Sequence, residues 1–428
     1  MKGAAKCYEE LRAYAETVPL VDCHDHTAEC GPKYTDPLQV VVNGYFPSDV
    51  HSASCDDDIQ LIIDAKRPLE ERWPAFEKAW KRTCHTGYAQ VTKRLMKKFY
   101  NEDEMSLEAL QRIGDKLLDL EDEAAFEKML DEANIAVRIT DIFGKYEEIL
   151  AGTCKLPPRT RVVIGLPGFH GICNRPQVDA LMAPLKIRTT SLDEYIEGCR
   201  EVFARFKTFG AVTFKDQSAY ARTLEYGNPS RAEAEGVFNW FMADPRRSAA
   251  YPDGVKPLDD YLFHTFMRIA RDIDLPVQIH TGHMAGIRND IAKTNAVRLT
   301  SVLELHPDVR FDLFHANWPY SGELIYLAKN FPNAAIDFCW ANIIDPIYCQ
   351  NMFKQALSAV PHGKIHGYGS DYGGCVDRAW AHASIARDNV AIALSDMVEL
   401  EYLDLDEAKE VAYAWLYGNA NAFFRLGL

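Results

Sequence analysis

Residues 19–26 read PLVDCHDH, a short apolar run that ends in His24 and His26, with one residue between them. A run of this kind has the length of a buried strand, and residues two apart on a strand point to the same face. Both imidazoles would then converge on one point at the strand's end. In a chain with thirteen histidines such a pair is ordinary by itself, so its meaning depends on what the other strand-like runs carry.

Seven further runs, five or six residues long, lie at 135–139, 161–165, 211–215, 276–280, 310–315, 334–338 and 364–369. They alternate with longer stretches of helical periodicity, the pattern of βα units around a parallel sheet. Eight such units predict an α/β fold closed into a (β/α)8 TIM barrel. An open doubly wound sheet would carry a phosphate-binding glycine loop, and no GxGxxG or Walker-type loop follows any run. No internal repeat, low-complexity tract or long linker divides the chain, so residues 1–428 are expected to form one barrel.

One connection is far longer than the rest. Between the first and second runs lie HSASCDDDIQLIIDAKRPLEERW, KAWKRTCHTGYAQVTKRLMKKFY and SLEALQRIGDKLLDL, the last with Leu107, Leu110, Ile113 and Leu117 at helical spacing. This predicts a large helical insertion over about 35–132, placed on the C-terminal face where barrels of this kind build their sites, as a lid or pocket wall. A smaller excursion, YGNPSRAEAEGVFNWFMADPRRSAAYPDG, reads as loop around one amphipathic segment.

With 47% apolar residues in 428, the core needs no disulfide or metal to hold it, so a metal would be expected to serve chemistry. The 62 acidic against 47 basic residues give a formal charge of −15, which argues against nucleic acid or anionic membrane as partners. A small-molecule substrate is the expected partner, and a cleft can still present local positive charge to an anion. Glu9, Glu10, Arg12 and Glu16 interrupt the N-terminal apolar residues, so no signal-peptide core is visible. The eleven cysteines form no CxxC pair, which suits free thiols in a reducing cytosol. A cytoplasmic protein is expected, with a homo-oligomer as the default assembly.

The other informative side chains also stand where strand-like runs end. His280 closes LPVQIH, His315 closes VRFDLFH, and Asp371 follows KIHGYGS. The intervals of 35 and 56 residues match one and two βα units. Three histidines and an aspartate at one end of a parallel barrel make a good set of ligands for zinc or a similar ion with a position left for water. His264, His306 and His362, in helical or loop contexts, read instead as packing or surface residues.

At this point the sequence resembles the metal-dependent amidohydrolase superfamily, in its amidohydrolase-related branch. The resemblance rests on VDCHDH, on Lys215 in GAVTFKD, and on IHTGH, FHANWPY and GSDYGG, and spans about residues 18–425. It implies that His24, His26 and Asp371 bind metal, with His280 and His315 matching the fifth- and sixth-strand histidines. Members of that superfamily hydrolyse C–N and ester bonds, decarboxylate without oxidation, or isomerise uronates. In binuclear members a fourth-strand lysine is carboxylated and bridges two ions; in others such a lysine contacts an acidic substrate, so Lys215 is compatible with either one ion or two.

The expected division of labour follows. His24, His26, His280 and Asp371 hold the ion, while Asp371 and His315 move protons. A bound ion lowers the pKa of water from about 15.7 to about 7, a larger effect than the 10²- to 10⁴-fold of a lone general base. Lys215, Arg222 and Arg288 could meet a substrate carboxylate, although each arginine could equally be a surface residue. His283 could reach the pocket or bond its own loop, and Trp318 and Tyr320 could wall an organic skeleton or pack beneath the insertion. The expected activity is a metal-dependent hydrolase of a small, carboxylate-bearing molecule. Decarboxylation, uronate isomerisation and non-catalytic binding by the same barrel stand as alternatives.

Overall fold

The eight strands follow one another around a single parallel sheet in the order β1 to β8. They are β1 (Leu20–Asp25), β2 (Ile135–Thr140), β3 (Thr160–Gly165), β4 (Ala211–Asp216), β5 (Val277–Ile279), β6 (Phe311–Leu313), β7 (Ala334–Asp337) and β8 (Ile365–His366). This computed structural model describes residues 3, 5–142 and 144–428. The segment after β8 meets β1 through two main-chain hydrogen bonds, Cys23 N–H to the Tyr368 carbonyl at 3.2 Å and Asp371 N–H to the His24 carbonyl at 2.8 Å. The expected (β/α)8 barrel is therefore present. Among the described residues no helix is long and apolar enough to cross a membrane.

Strands β5, β6 and β8 are shorter than their apolar runs suggest because the chain turns out of the ladder before each functional residue. His280, His315 and Asp371 lie just beyond the paired residues. Local sequence sets the helices that brace the strands. Ser191 and Glu194 form a reciprocal capping box at the start of the helix Leu192–Phe209, and Gly210, with φ 120°, turns the chain directly into β4. Ser230 and Glu233 cap Arg231–Met242 in the same way, within the smaller excursion.

Between β1 and β2 the chain forms helices from Pro37–Val41 through Glu123–Ala133. The helix Leu107–Gly114 stops short of Leu117, although the apolar spacing continues; Leu110 and Ile113 are the positions it buries. Arg387, buried in the helix Val376–Glu399, ties this region to the barrel. Its guanidinium donates to the carbonyls of Ala15 at 2.8 Å, Ala133 at 3.0 Å and Val18 at 3.1 Å. Burial draws its pKa down to about 10, which leaves it charged at neutral pH.

Arg222, expected at the substrate, is instead buried in this scaffolding with its charge taken up by two aspartates. It is 4% exposed, pairs with Asp259 at 2.8 Å and Asp260 at 2.6 Å, and stacks over the Tyr226 ring. Both of its charge partners lie almost forty residues downstream, where no local reading would connect them. Asp259 also holds His170 Nδ1, whose Nε2 meets Asp216 at the end of β4 at 3.1 Å. Burial works against the His170 charge but is outweighed by Asp259 and Asp216, so the imidazole is pushed up to about 9. Burial likewise opposes the Asp216 charge, yet His170 and the Ser218 N–H hold that carboxyl down to about 2. His264 and His306 bond each other at 2.8 Å, and His264 Nε2 donates to the Gly227 carbonyl at 2.8 Å, so both serve packing.

Two outcomes follow from these contacts. Arg387→Met orphans three buried carbonyls, and loss of charged hydrogen bonds of this kind should lower stability by about 3 kcal/mol or more, read as a fall in the urea midpoint. A folded His170 pKa near 9, against an ordinary value near 6.5, stabilises fully below about pH 6.5, and the gain is lost as pH rises through about 9. The urea midpoint of the wild type should fall across that window, while His170→Asn should show a flatter profile; parallel profiles would contradict the assignment.

Candidate metal centre

The ends of β1, β2, β5, β6, β7 and β8 bring the donor atoms of the site together. His26 Nε2 lies 3.2 Å from Asp371 Oδ1, His24 Nε2 lies 3.6 Å from the same oxygen, and His315 Nε2 lies 3.9 Å from Asp371 Oδ2. His315 Nε2 is in turn 3.1 Å from His280 Nδ1. The His24 and His315 side chains are fully buried, whereas that of His26 keeps 27% exposure, so the cluster is approached from its side.

The hydrogen-bond partners of these rings determine which nitrogens carry protons. His280 Nε2–H donates to the His283 carbonyl at 2.7 Å, and His315 Nδ1–H donates to the Cys339 carbonyl at 2.8 Å. Their remaining nitrogens, His280 Nδ1 and His315 Nε2, then face each other as two lone pairs. Burial pushes both imidazoles well below the usual histidine range, so protonation does not relieve the contact. His24 is equally neutral, lowered by burial and then by the Lys215 charge, and both of its nitrogens are buried without a hydrogen-bond partner. Orphaned neutral nitrogens beside a carboxylate are what a divalent ion would satisfy. The donor set fits a metal ion.

Lys215 is buried at the end of β4, with Nζ 3.4 Å from the centre of the Phe314 ring. Burial lowers its pKa, and the carboxyl groups of Asp371, Asp141 and Asp337 draw it back up. Its charge is felt at His24, His26, His280 and His315. Lys215 is therefore the basic side chain that these four histidines share as a neighbour.

Two donors lie at strand ends that the motif reading passed over. Asp141 follows β2, has ligand atoms within 4.8 Å of those of His24 and His26 in a group that could hold an ion, and has Oδ2 buried without a partner. Cys339 follows β7 and forms a second such group with His315 and Asp371. Each is a polar residue directly after an apolar run, in ITD and DFC, the same signal that marks His280 and Asp371. A cavity of about 260 Å³ shares Asp141 with the site and extends to Gly165, Pro167 and Gln217.

The insertion supplies an aromatic wall. Tyr45 stacks on Trp340 with ring centres 4.2 Å apart, lies 5.7 Å from Tyr88, and donates its hydroxyl to the Asp371 carbonyl. Trp340 meets the His315 ring edge-on at 5.2 Å. His283 joins this wall between Trp318 and Trp340, and its Nε2 lies 3.4 Å from the Tyr88 hydroxyl; burial lowers its pKa to about 4. Gly282 lets the loop carrying His283 lie against the β6 turn, since a Cβ there would come within 2.5 Å of the Asn317 backbone.

Not every expected residue joins the site. Arg288 is an exposed rim residue, 2.8 Å from Asp56 of the insertion, so its charge fastens the insertion to the β5 loop. Tyr320 is bound through its backbone to Asn317, donating at 2.7 Å and accepting at 2.9 Å, and serves the turn after β6.

Comparison with known proteins agrees with this arrangement. Residues 190–426 match the family described as amidohydrolase. A curated relative, Protein fluG of Emericella nidulans, is 24% identical over 226 residues, which are 50% of this chain and 26% of that protein; the chain thus spans about a quarter of its length. The uronate isomerase of Thermotoga maritima superposes with a TM-score of 0.77 at 14% identity, covering 99% of this chain and 98% of that one. A glucuronate isomerase of Caulobacter crescentus gives 0.69 at 18%, covering 98% and 94%. A protein of Lactobacillus casei ATCC 334 described as a metal-dependent hydrolase gives 0.66 at 16%, covering 97% and 98%. At these identities the structural likeness speaks for the fold. The matched profile covers more than half of the chain and includes His280, His315 and Asp371, and the chain belongs to the amidohydrolase family.

Proposed function

We propose that this chain is a metal-dependent hydrolase of a small molecule with a flat, apolar body and an anionic end. The observation that carries the reading is the convergence of His24, His26, His280, His315 and Asp371 on one point beside the buried ammonium of Lys215. His24, His26, His280 Nδ1 and Asp371 would hold the ion, and a set richer in imidazole than in carboxylate suits zinc. When bound, such an ion makes water a nucleophile at neutral pH and polarises the bond under attack.

The chain's own residues do the rest. Asp371 Oδ2 takes the proton of the attacking water and passes it to the free lone pair of His315 Nε2, 3.9 Å away, from which it goes on to the leaving atom. The Cys339 carbonyl fixes the ring of His315 so that Nε2 faces the site. Lys215 meets the anionic end, where burial strengthens its attraction to a negative group. Tyr45, Tyr88 and Trp340 exclude water and stack on the substrate body. Uronate isomerisation or decarboxylation would draw on the same donors. The aromatic wall speaks against a polyhydroxylated sugar acid, whose hydroxyls need polar partners when buried.

Asp371→Asn should lower kcat by about 10²- to 10⁴-fold while circular dichroism is unchanged. Chelation should abolish turnover, and zinc should restore it. The assay is a panel of aryl amides and esters with carboxylate tails, run beside hexuronates and aromatic carboxylic acids. Turnover confined to the hexuronates, or carbon dioxide released from the acids, would replace the hydrolase reading.

A further inference from the structure

The interior of the barrel, beneath the metal centre, is divided. On the side of β1 to β3 it is lined by Val21, Val137, Ile139 and Val163. On the other side the strands place Gln278, Asp312, Asp337 and His366 in a buried polar layer, with Cys23 of β1 against it. Buried parallel strands ordinarily read as apolar runs and barrels fill with branched aliphatic side chains, so this half of the interior needs a physical reason.

The hydrogen bonds show what the layer lacks. His366 Nδ1–H donates to Asp312 Oδ1 at 2.8 Å, which turns the Nε2 lone pair inward, and Nε2 is buried with no partner. Asp337 Oδ1 accepts the Cys339 N–H at 2.7 Å; its carboxyl lies against that of Asp312 and the Cys23 thiol, and Oδ2 is buried with no well-formed hydrogen bond. Gln278 donates to the Cys23 carbonyl at 2.9 Å and to Asp312 Oδ2 at 3.3 Å, and its Oε1 is likewise unpartnered. Ligand atoms of Cys23, Asp337 and His366 lie within 4.8 Å of one another.

We infer that Cys23 Sγ, Asp337 and His366 Nε2 form a second metal site inside the barrel, for a zinc-class divalent cation. The histidine has the outer carboxylate that metal-binding histidines commonly carry, with Asp312 fixing its tautomer and orientation. A thiolate, a carboxylate and a neutral imidazole give the inner sphere two negative charges, which a divalent ion cancels in a place where net charge is costly. A thiolate with an imidazole favours zinc over magnesium or calcium. Gln278 Oε1 stands in the same layer as a fourth oxygen. Phe423 and Phe424 pack against the His366 ring, with centres 4.8 and 5.7 Å away, and shield the layer. A closed site of this kind is structural, and it shares no ligand with the outer centre.

X-ray absorption of the zinc-loaded wild type should show a sulfur scatterer at about 2.3 Å, and the cobalt(II) form should show thiolate-to-cobalt charge transfer in the near ultraviolet. That band should vanish in Cys23→Ser, with one metal equivalent lost by elemental analysis, and persist in Cys339→Ser, which removes the thiol beside the outer centre. Absence of a sulfur shell in the wild type, as expected if a buried water fills the layer, would overturn the inference without recourse to any variant. Loss of the band in Cys339→Ser with retention in Cys23→Ser would overturn it in favour of the outer thiol.

Discussion

The centre depends on the seam at which the barrel closes. Asp22 sits in that seam, its Oδ1 accepting the Ser370 N–H at 2.7 Å and the His24 N–H at 3.4 Å. The adjacent bond from Asp371 N–H to the His24 carbonyl locks the aspartate to the histidine strand. Residues almost 350 positions apart are thereby held at ligand distance before any ion or substrate arrives. Burial, then the neighbouring Asp25, pushes the Asp22 carboxyl up to about 8, so the seam has a titratable group at its centre. The scaffold thus absorbs the entropy cost of assembling the site when it folds, which is the condition for a preorganised centre.

Strain collects on the same rim. His315, Trp340 and Asp371 have φ values of 60°, 60° and 58°. Each follows a barrel strand, and a left-handed residue other than glycine costs about 1–2 kcal/mol. These turns swing an imidazole, an indole and a carboxylate over the barrel mouth, where a continued strand would direct them alternately inward and outward. Such outliers persist where the surrounding structure over-determines them, and here that structure is the closed sheet with its helices.

The parts of this design that were legible in the sequence are those that strand geometry alone decides. His24, His26, Lys215, His280, His315 and Asp371 stand at the ends of apolar runs, and eight parallel runs can place such ends together only in a barrel. The roles of Arg222 and Arg288 stayed open because a positive charge after a strand does not reveal its partner. Asp259 and Asp260 reach Arg222 from a distant helix, and Asp56 reaches Arg288 from the insertion. Tyr45 and Tyr88 were hidden for a related reason: their place at the centre follows from how the insertion packs. Asp141 and Cys339 obey the strand-end rule, and Gln278, Asp312, Asp337 and His366 interrupt otherwise apolar strands, so those signals were present in the sequence.

This division bears on where substrate choice resides. The family match begins at residue 190 and so takes in β4 to β8, with Lys215, His280, His315 and Asp371, but neither β1 nor the helices that follow it. His315, Asp371 and the buried Lys215 thus lie in the shared part of the chain. The aromatic wall is built across the boundary, because Tyr45 and Tyr88 come from the insertion while Trp340 comes from the turn after β7. Tyr45 also donates to the Asp371 carbonyl, so the insertion bonds directly to the backbone of the aspartate at the cluster. A change in how the insertion docks would therefore move the Tyr45 ring and the Asp371 backbone together.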